Sequence, residues 1–60
     1  KNAAKHYKNV IKKNPNHVKS RENLIYIYKN LNKFREAKKE CEIIYMLDRS
    51  VYNSIAFCRE

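Results

Sequence analysis

Leu24-Ile25-Tyr26-Ile27-Tyr28-Lys29-Asn30-Leu31-Asn32-Lys33-Phe34-Arg35-Glu36-Ala37 holds two apolar stripes separated by one polar break. Leu24, Ile27, Tyr28 and Leu31 recur at i, i+3, i+4 and i+7, the period of one helical face. Asn32 follows where the chain must turn, and Asn tolerates the left-handed conformation that usually recruits Gly after a helix. Phe34 and Ala37 open a second stripe that continues through Cys41, Ile44 and Tyr45. A link of about two or three residues makes the flanking helices antiparallel neighbours. The stretch therefore predicts a helical hairpin, with helices over about Val18–Leu31 and from Lys33 or Phe34 to Leu47.

Working outward, Ala3, Tyr7, Val10 and Ile11 form one apolar face of a helix over Asn2–Lys13, with Lys5, Lys8 and Lys12 opposite. Lys12 and Lys13 complement the helix dipole, and Pro15 biases Asn14 away from helix. Asn14-Pro15-Asn16-His17 then reads as a connector, with Asn16 or His17 ahead of the next helix. On the other side, Asp48-Arg49-Ser50 breaks the pattern. Ser50 is expected to cap a fourth helix that starts at Val51 and carries Tyr52, Ile55 and Cys58.

Composition agrees with an all-α chain. Gly is absent from the 60 residues and Pro occurs once, so tight turns and β-hairpins are poorly supplied. A chain this short is marginal as an independent unit, and it reads as a piece of something longer. The net charge of +8 fits a nucleic-acid or acidic-protein partner. Richness in Lys, Asn, Ile and Tyr together favours the blander reading, a solvated basic surface set by composition bias. Cys41 and Cys58 both fall on apolar helical positions, where a free Cys acts as a small hydrophobe. Read as free thiols, they point to a reducing, intracellular compartment, cytoplasmic or nuclear. No apolar run approaches a membrane span.

Shifted against itself by 34 residues, the chain sets Ala3 on Ala37, Lys5 on Lys39, Val10 on Ile44 and Asn14 on Asp48. What recurs is the order apolar helix, short break, apolar helix, and this period resembles the tetratricopeptide repeat. Leu24 and Tyr28 stand at the family's Leu and Tyr spacing, Ala37 nine residues beyond Tyr28, and Phe34 three before Ala37. Ala3, Tyr7 and Pro15 match the same pattern upstream. Departures are Arg21 for Trp, Ile25 for a small residue, Cys41 for an aromatic, Ile44 for Ala and Arg49 for Pro. The resemblance implies antiparallel helix-turn-helix hairpins stacked as a right-handed α-solenoid. It divides the chain into the end of one repeat (1–17), a complete repeat (18–51) and the start of a third (52–60). Open apolar faces at Tyr7, Val10, Ile11 and the last helix would be covered by adjoining repeats or by self-association.

In that family the first helix of each repeat lines a concave groove. The resemblance therefore implies a partner-binding face of Lys19, Glu22, Asn23, Tyr26, Lys29 and Asn30, apart from the core stripe. Tyr26 would anchor an apolar group, the lysines would meet acidic groups and the asparagines would bond a peptide backbone. Some relatives clamp a C-terminal carboxylate, but Glu22 stands where such a clamp carries Lys and Phe57 where it carries Arg. The implied role is a non-catalytic scaffold or adaptor for a protein or peptide segment, an acidic one included. Pentatricopeptide proteins supply the alternative, RNA held on the basic surface with Tyr26 stacking a base. Tyr7, Phe34, Tyr45 and Tyr52 read as packing, and His6 and His17 as surface or cap residues. No nucleophile–base pair, Gly-rich phosphate loop or metal-ligand spacing is present, so neither an enzyme nor a cofactor is expected.

Overall fold

The computed structural model describes residues 2–60; Lys1, the first residue of the expected leading segment, lies outside it. Five helices follow in order: α1 (Asn2–Lys13), α2 (Val18–Asn30), α3 (Phe34–Leu47), α4 (Arg49–Ser54) and α5 (Ala56–Arg59). Among the described residues there is no strand. α2 packs against α1 on one side and α3 on the other, while α4 and α5 pack against α3. The chain occupies 27 × 25 × 15 Å.

Local chemistry sets the helix ends. The Asn14 amide closes the last bond of α1 on the Val10 carbonyl at 2.8 Å, just before Pro15. His17 caps α2, its Nδ1 accepting from the Ser20 amide at 3.2 Å. At the other end of α2, Asn32 takes φ 60°. The Lys33 amide reaches back to the Tyr28 carbonyl at 2.8 Å, and the Asn32 amide to Lys29 at 3.1 Å. That double closure satisfies carbonyls that a helix end would otherwise strand.

The core is Leu24, Ile25, Tyr28, Ala37, Cys41, Ile44, Ile55, Phe57 and Cys58. It corrects the rotational phase expected for each helix. In α2, Ile25 is 0% exposed whereas Leu31 is 51% exposed, so the buried stripe turns toward Ser20, Arg21, Leu24, Ile25 and Tyr28. In α3, Phe34 and Tyr45 are exposed rather than core, with Ala37, Cys41 and Ile44 buried between them. In α1, Ala4 packs on the core in place of Ala3, together with Tyr7 and Ile11. Tyr7 and Ile11 thus have α2 as their cover.

The buried charge Arg21 explains much of the α2 rotation. Its Nη1 lies 2.7 Å from Glu40 Oε1 on α3, and its Nε donates to the Pro15 carbonyl at 3.0 Å. One guanidinium joins the α1–α2 connector, α2 and α3.

The C-terminal part departs most from expectation. Asp48, not Ser50, starts the fourth helix. Its Oδ1 accepts from the Ser50 amide at 3.1 Å, the Ser50 hydroxyl at 2.8 Å and the Val51 amide at 3.4 Å. A carboxylate offers acceptors only, while the Ser50 hydroxyl is used here as a donor. The expected single helix then breaks at Ile55, whose backbone is extended (φ −99°, ψ 104°). The break folds Ile55, Phe57 and Cys58 back onto α3. Lys38 Nζ donates to the Phe57 and Glu60 carbonyls, both at 2.9 Å, and sits 4.6 Å from the Phe57 ring centroid. The Tyr52 hydroxyl donates to the Cys58 carbonyl at 3.0 Å.

Cys41 and Cys58 are joined as a disulfide, with Cα atoms 5.3 Å apart. The expectation of two free thiols is therefore corrected, and the inference of a reducing compartment loses its basis. The break at Ile55 is the physical reason, because it aims Cys58 at α3.

Two stability measurements check these ties. Glu40→Ala leaves Arg21 buried with one carbonyl, and should cost about 3 kcal/mol in urea unfolding. A core this small rarely supplies more than about 3–5 kcal/mol, so most of the stability should go. Reducing the disulfide reopens a span of 17 residues and should cost about 3 kcal/mol by loop entropy. A urea midpoint unmoved by a phosphine reductant would contradict the bond.

Candidate functional site

At about 100° per residue, the inward side chains of α2 leave an opposite face of about 120°. On it stand Lys19, Glu22, Asn23, Tyr26, Lys29 and Asn30. Lys19, Tyr26, Lys29 and Asn30 are exposed, and Glu22 and Asn23 are half-buried. All six share the solvent side of one helix, with Tyr26 near its middle at 43% exposure.

Two of the cations already have neighbours. Lys19 Nζ lies 3.8 Å from Glu22 Oε1, one turn along the helix. Such a surface pair contributes at most about 1 kcal/mol, so a ligand can displace it. Lys29 Nζ sits 5.6 Å from the Phe57 ring centroid, leaning toward the folded-back C-terminal segment. Phe57 is thereby bracketed by Lys29, Lys38 and the Phe34 ring, whose centroid is 6.1 Å away. Tyr26, Asn23 and Asn30 have no side-chain hydrogen bond among the described residues.

The surface cavities lie elsewhere. One, of about 200 Å³, is lined by His6, Asn9, Val10 and Lys13 on α1. The other, of about 290 Å³, is lined by Glu42, Tyr45 and Met46 of α3 and by Tyr52 of α4. The Tyr45 and Tyr52 rings meet edge to face at 4.9 Å, and the Arg49 guanidinium lies 4.3 Å from the Tyr45 centroid. Met46 is 84% exposed beside them. Sequence reasoning placed Tyr45 in the core and so missed this corner. The unassigned Met46, next to a Tyr at the edge of its stripe, was the signal for it. Among the described residues no three His, Cys, Asp or Glu gather as metal ligands, and no helix is long and apolar enough to cross a membrane.

No family model, curated protein or solved structure matches the chain.

Asp48 holds the wall of the second cavity by fixing the start of α4. The Ser50 hydroxyl and then the Val51 amide, with a lesser part from the Ser50 amide, keep its carboxyl pKa below the ordinary 3.8 against the opposing effect of desolvation. A folded-state pKa below the unfolded one means that the cap stabilises above pH 3.8 and is lost as pH falls through the lower, folded value. Amide shifts of Ser50 and Val51 should therefore titrate together with a midpoint below 3.8. Asp48→Asn should abolish that step while keeping the helix start, since Asn also caps.

Proposed function

We propose that the chain is a repeat unit of a non-catalytic helical scaffold, of tetratricopeptide type, whose α2 face holds a segment of a partner protein. The observation that carries this reading is the outward face of α2, where an exposed Tyr is flanked by amides and cations directly opposite a buried stripe. Binding there needs shape complementarity and a few anchors rather than bond chemistry. Tyr26 supplies rigid apolar area, Asn23 and Asn30 supply both donors and acceptors for a peptide backbone, and Lys19 and Lys29 favour an acidic segment.

The order of packing supports the stacked arrangement. Each helix lies against its predecessor in sequence, with α2 between α1 and α3. A right-handed solenoid would extend the same order by adding hairpins, with the segment after α3 leading into the next first helix. The break at Ile55 and the disulfide make that segment differ from the family's pattern.

A photo-crosslinking amino acid at position 26 tests the face in cells. Protein adducts should exceed those from the exposed position 53, and Tyr26→Ala should weaken capture of the same partner about tenfold with melting unchanged. Equal labelling from both positions would sink the reading. Lys29 is the poorer site for such a test, because its contact with Phe57 mixes binding with folding.

A further inference from the structure

The +8 charge is not spread along the chain. Up to Arg21 there are seven Lys and Arg and no acid, whereas beyond it there are seven basic and six acidic residues. Composition bias raises Lys everywhere and does not account for acids being confined to one side. Arg21 itself is buried against Glu40. With Lys19 paired to Glu22 as well, α1 keeps four lysines and no acid in one short helix, whereas the remaining net charge of +3 beyond Arg21 is interleaved with four acids.

α1 is built to display it. Ala4, Tyr7 and Ile11 pack against the core, which leaves Lys5, His6, Lys8, Asn9, Lys12 and Lys13 exposed. Lys5, Lys8 and Lys12 stand at i, i+3 and i+7, a stripe about 60° wide and about 10 Å long. None of the four lysines has a carboxylate within ion-pair distance among the described residues. Lys8 Nζ lies 5.7 Å from the Tyr28 ring centroid, which steadies one ammonium of the stripe. Beside the stripe, His6, Asn9, Val10 and Lys13 line the cavity of about 200 Å³.

We propose that α1 is a docking surface for the phosphate backbone of a nucleic acid, bound without base recognition. The side chains available decide among polyanions. Outside its core-facing stripe, α1 offers amines, amide and imidazole, with half-buried Val10 as the one large apolar group. A membrane-surface helix needs bulky apolar residues on its lipid face, and those of α1 are spent on α2. An acidic protein segment needs a desolvated apolar anchor for a stable complex. A phosphodiester chain needs only closely spaced cations and hydrogen-bond donors. This surface is separate from the α2 face and stands whether or not that face binds a protein.

The test uses the full chain and a fluorescent 20-nucleotide oligouridine, titrated at several salt concentrations. Each phosphate contact adds about 0.7 to the slope of log affinity against log salt for a single strand. Replacing Lys5, Lys8 and Lys12 by Gln should flatten that slope by about 2 and weaken binding at least about tenfold in 50 mM salt. Replacing Lys33, Arg35 and Lys39 of the hairpin by Gln removes the same charge and should change affinity by less than about threefold. All six positions are exposed, so circular dichroism should be unchanged in both variants. Equal losses in the two variants would reduce the effect to net charge and overturn the site. Displacement of the RNA by oligoglutamate of the same length at equal concentration would overturn it too, as would no binding in 50 mM salt.

Discussion

Arg21 carries a charge into the interior of a domain that has very little interior. Taking a guanidinium out of water is costly, and only well-placed partners offset the cost. Glu40 and the Pro15 carbonyl are those partners, and they lie on different elements. The pair therefore acts on geometry more than on net stability. α2 can rotate or slide along α3 only by stranding the charge, so the phase of α2 is set with the pair. Once that phase is set, Ile25 is inside, Leu31 is outside and Tyr26 faces water.

The other side of α3 is fixed by a different means. The disulfide, the Lys38 ammonium on two carbonyls and the Tyr52 hydroxyl all hold the segment after Ile55. None of these uses much apolar area, and α4 itself has no buried residue. Ile55, Phe57 and Cys58 are buried, and a covalent bond and charge-assisted contacts add to what so short a segment can bury. α3 thus lies between an ion pair on one flank and a disulfide on the other, one residue apart in sequence at Glu40 and Cys41.

The existence and ends of α1, α2 and α3 were legible because they depend on neighbours in sequence. Pro15 ends α1 through its effect on Asn14, and Asn32 takes the left-handed turn because few residues other than Gly can. Rotational phase was less legible, because it depends on partners across space. Leu31 is apolar at the right spacing, yet its position belongs to the end of the hairpin, where no element covers it. Arg21 read as a departure from a family pattern, and its role needed Glu40 to be placed beside it. The Cys41–Cys58 bond was hidden behind the Ile55 break, which no Pro or Gly announces. The six side chains stay on the side of α2 opposite the buried stripe because the phase changes by only about 40°, less than half a residue's turn. The two cavities did not emerge, since each depends on how neighbouring side chains leave space between them.

Asn32 and the short connectors have a consequence for how the chain reaches this state. The ties that close the structure span few residues: 19 for Arg21–Glu40, 17 for the disulfide, and 19 and 22 for the two Lys38 bonds. Contacts this local carry little loop-closure entropy, and topologies made of them fold fast. The α2–α3 hairpin is then the natural nucleus, with Asn32 already holding the turn. α1 and the terminal segment add to its two flanks without closing a large loop. The order of assembly is thus written into the spacing of the ties rather than into any one residue.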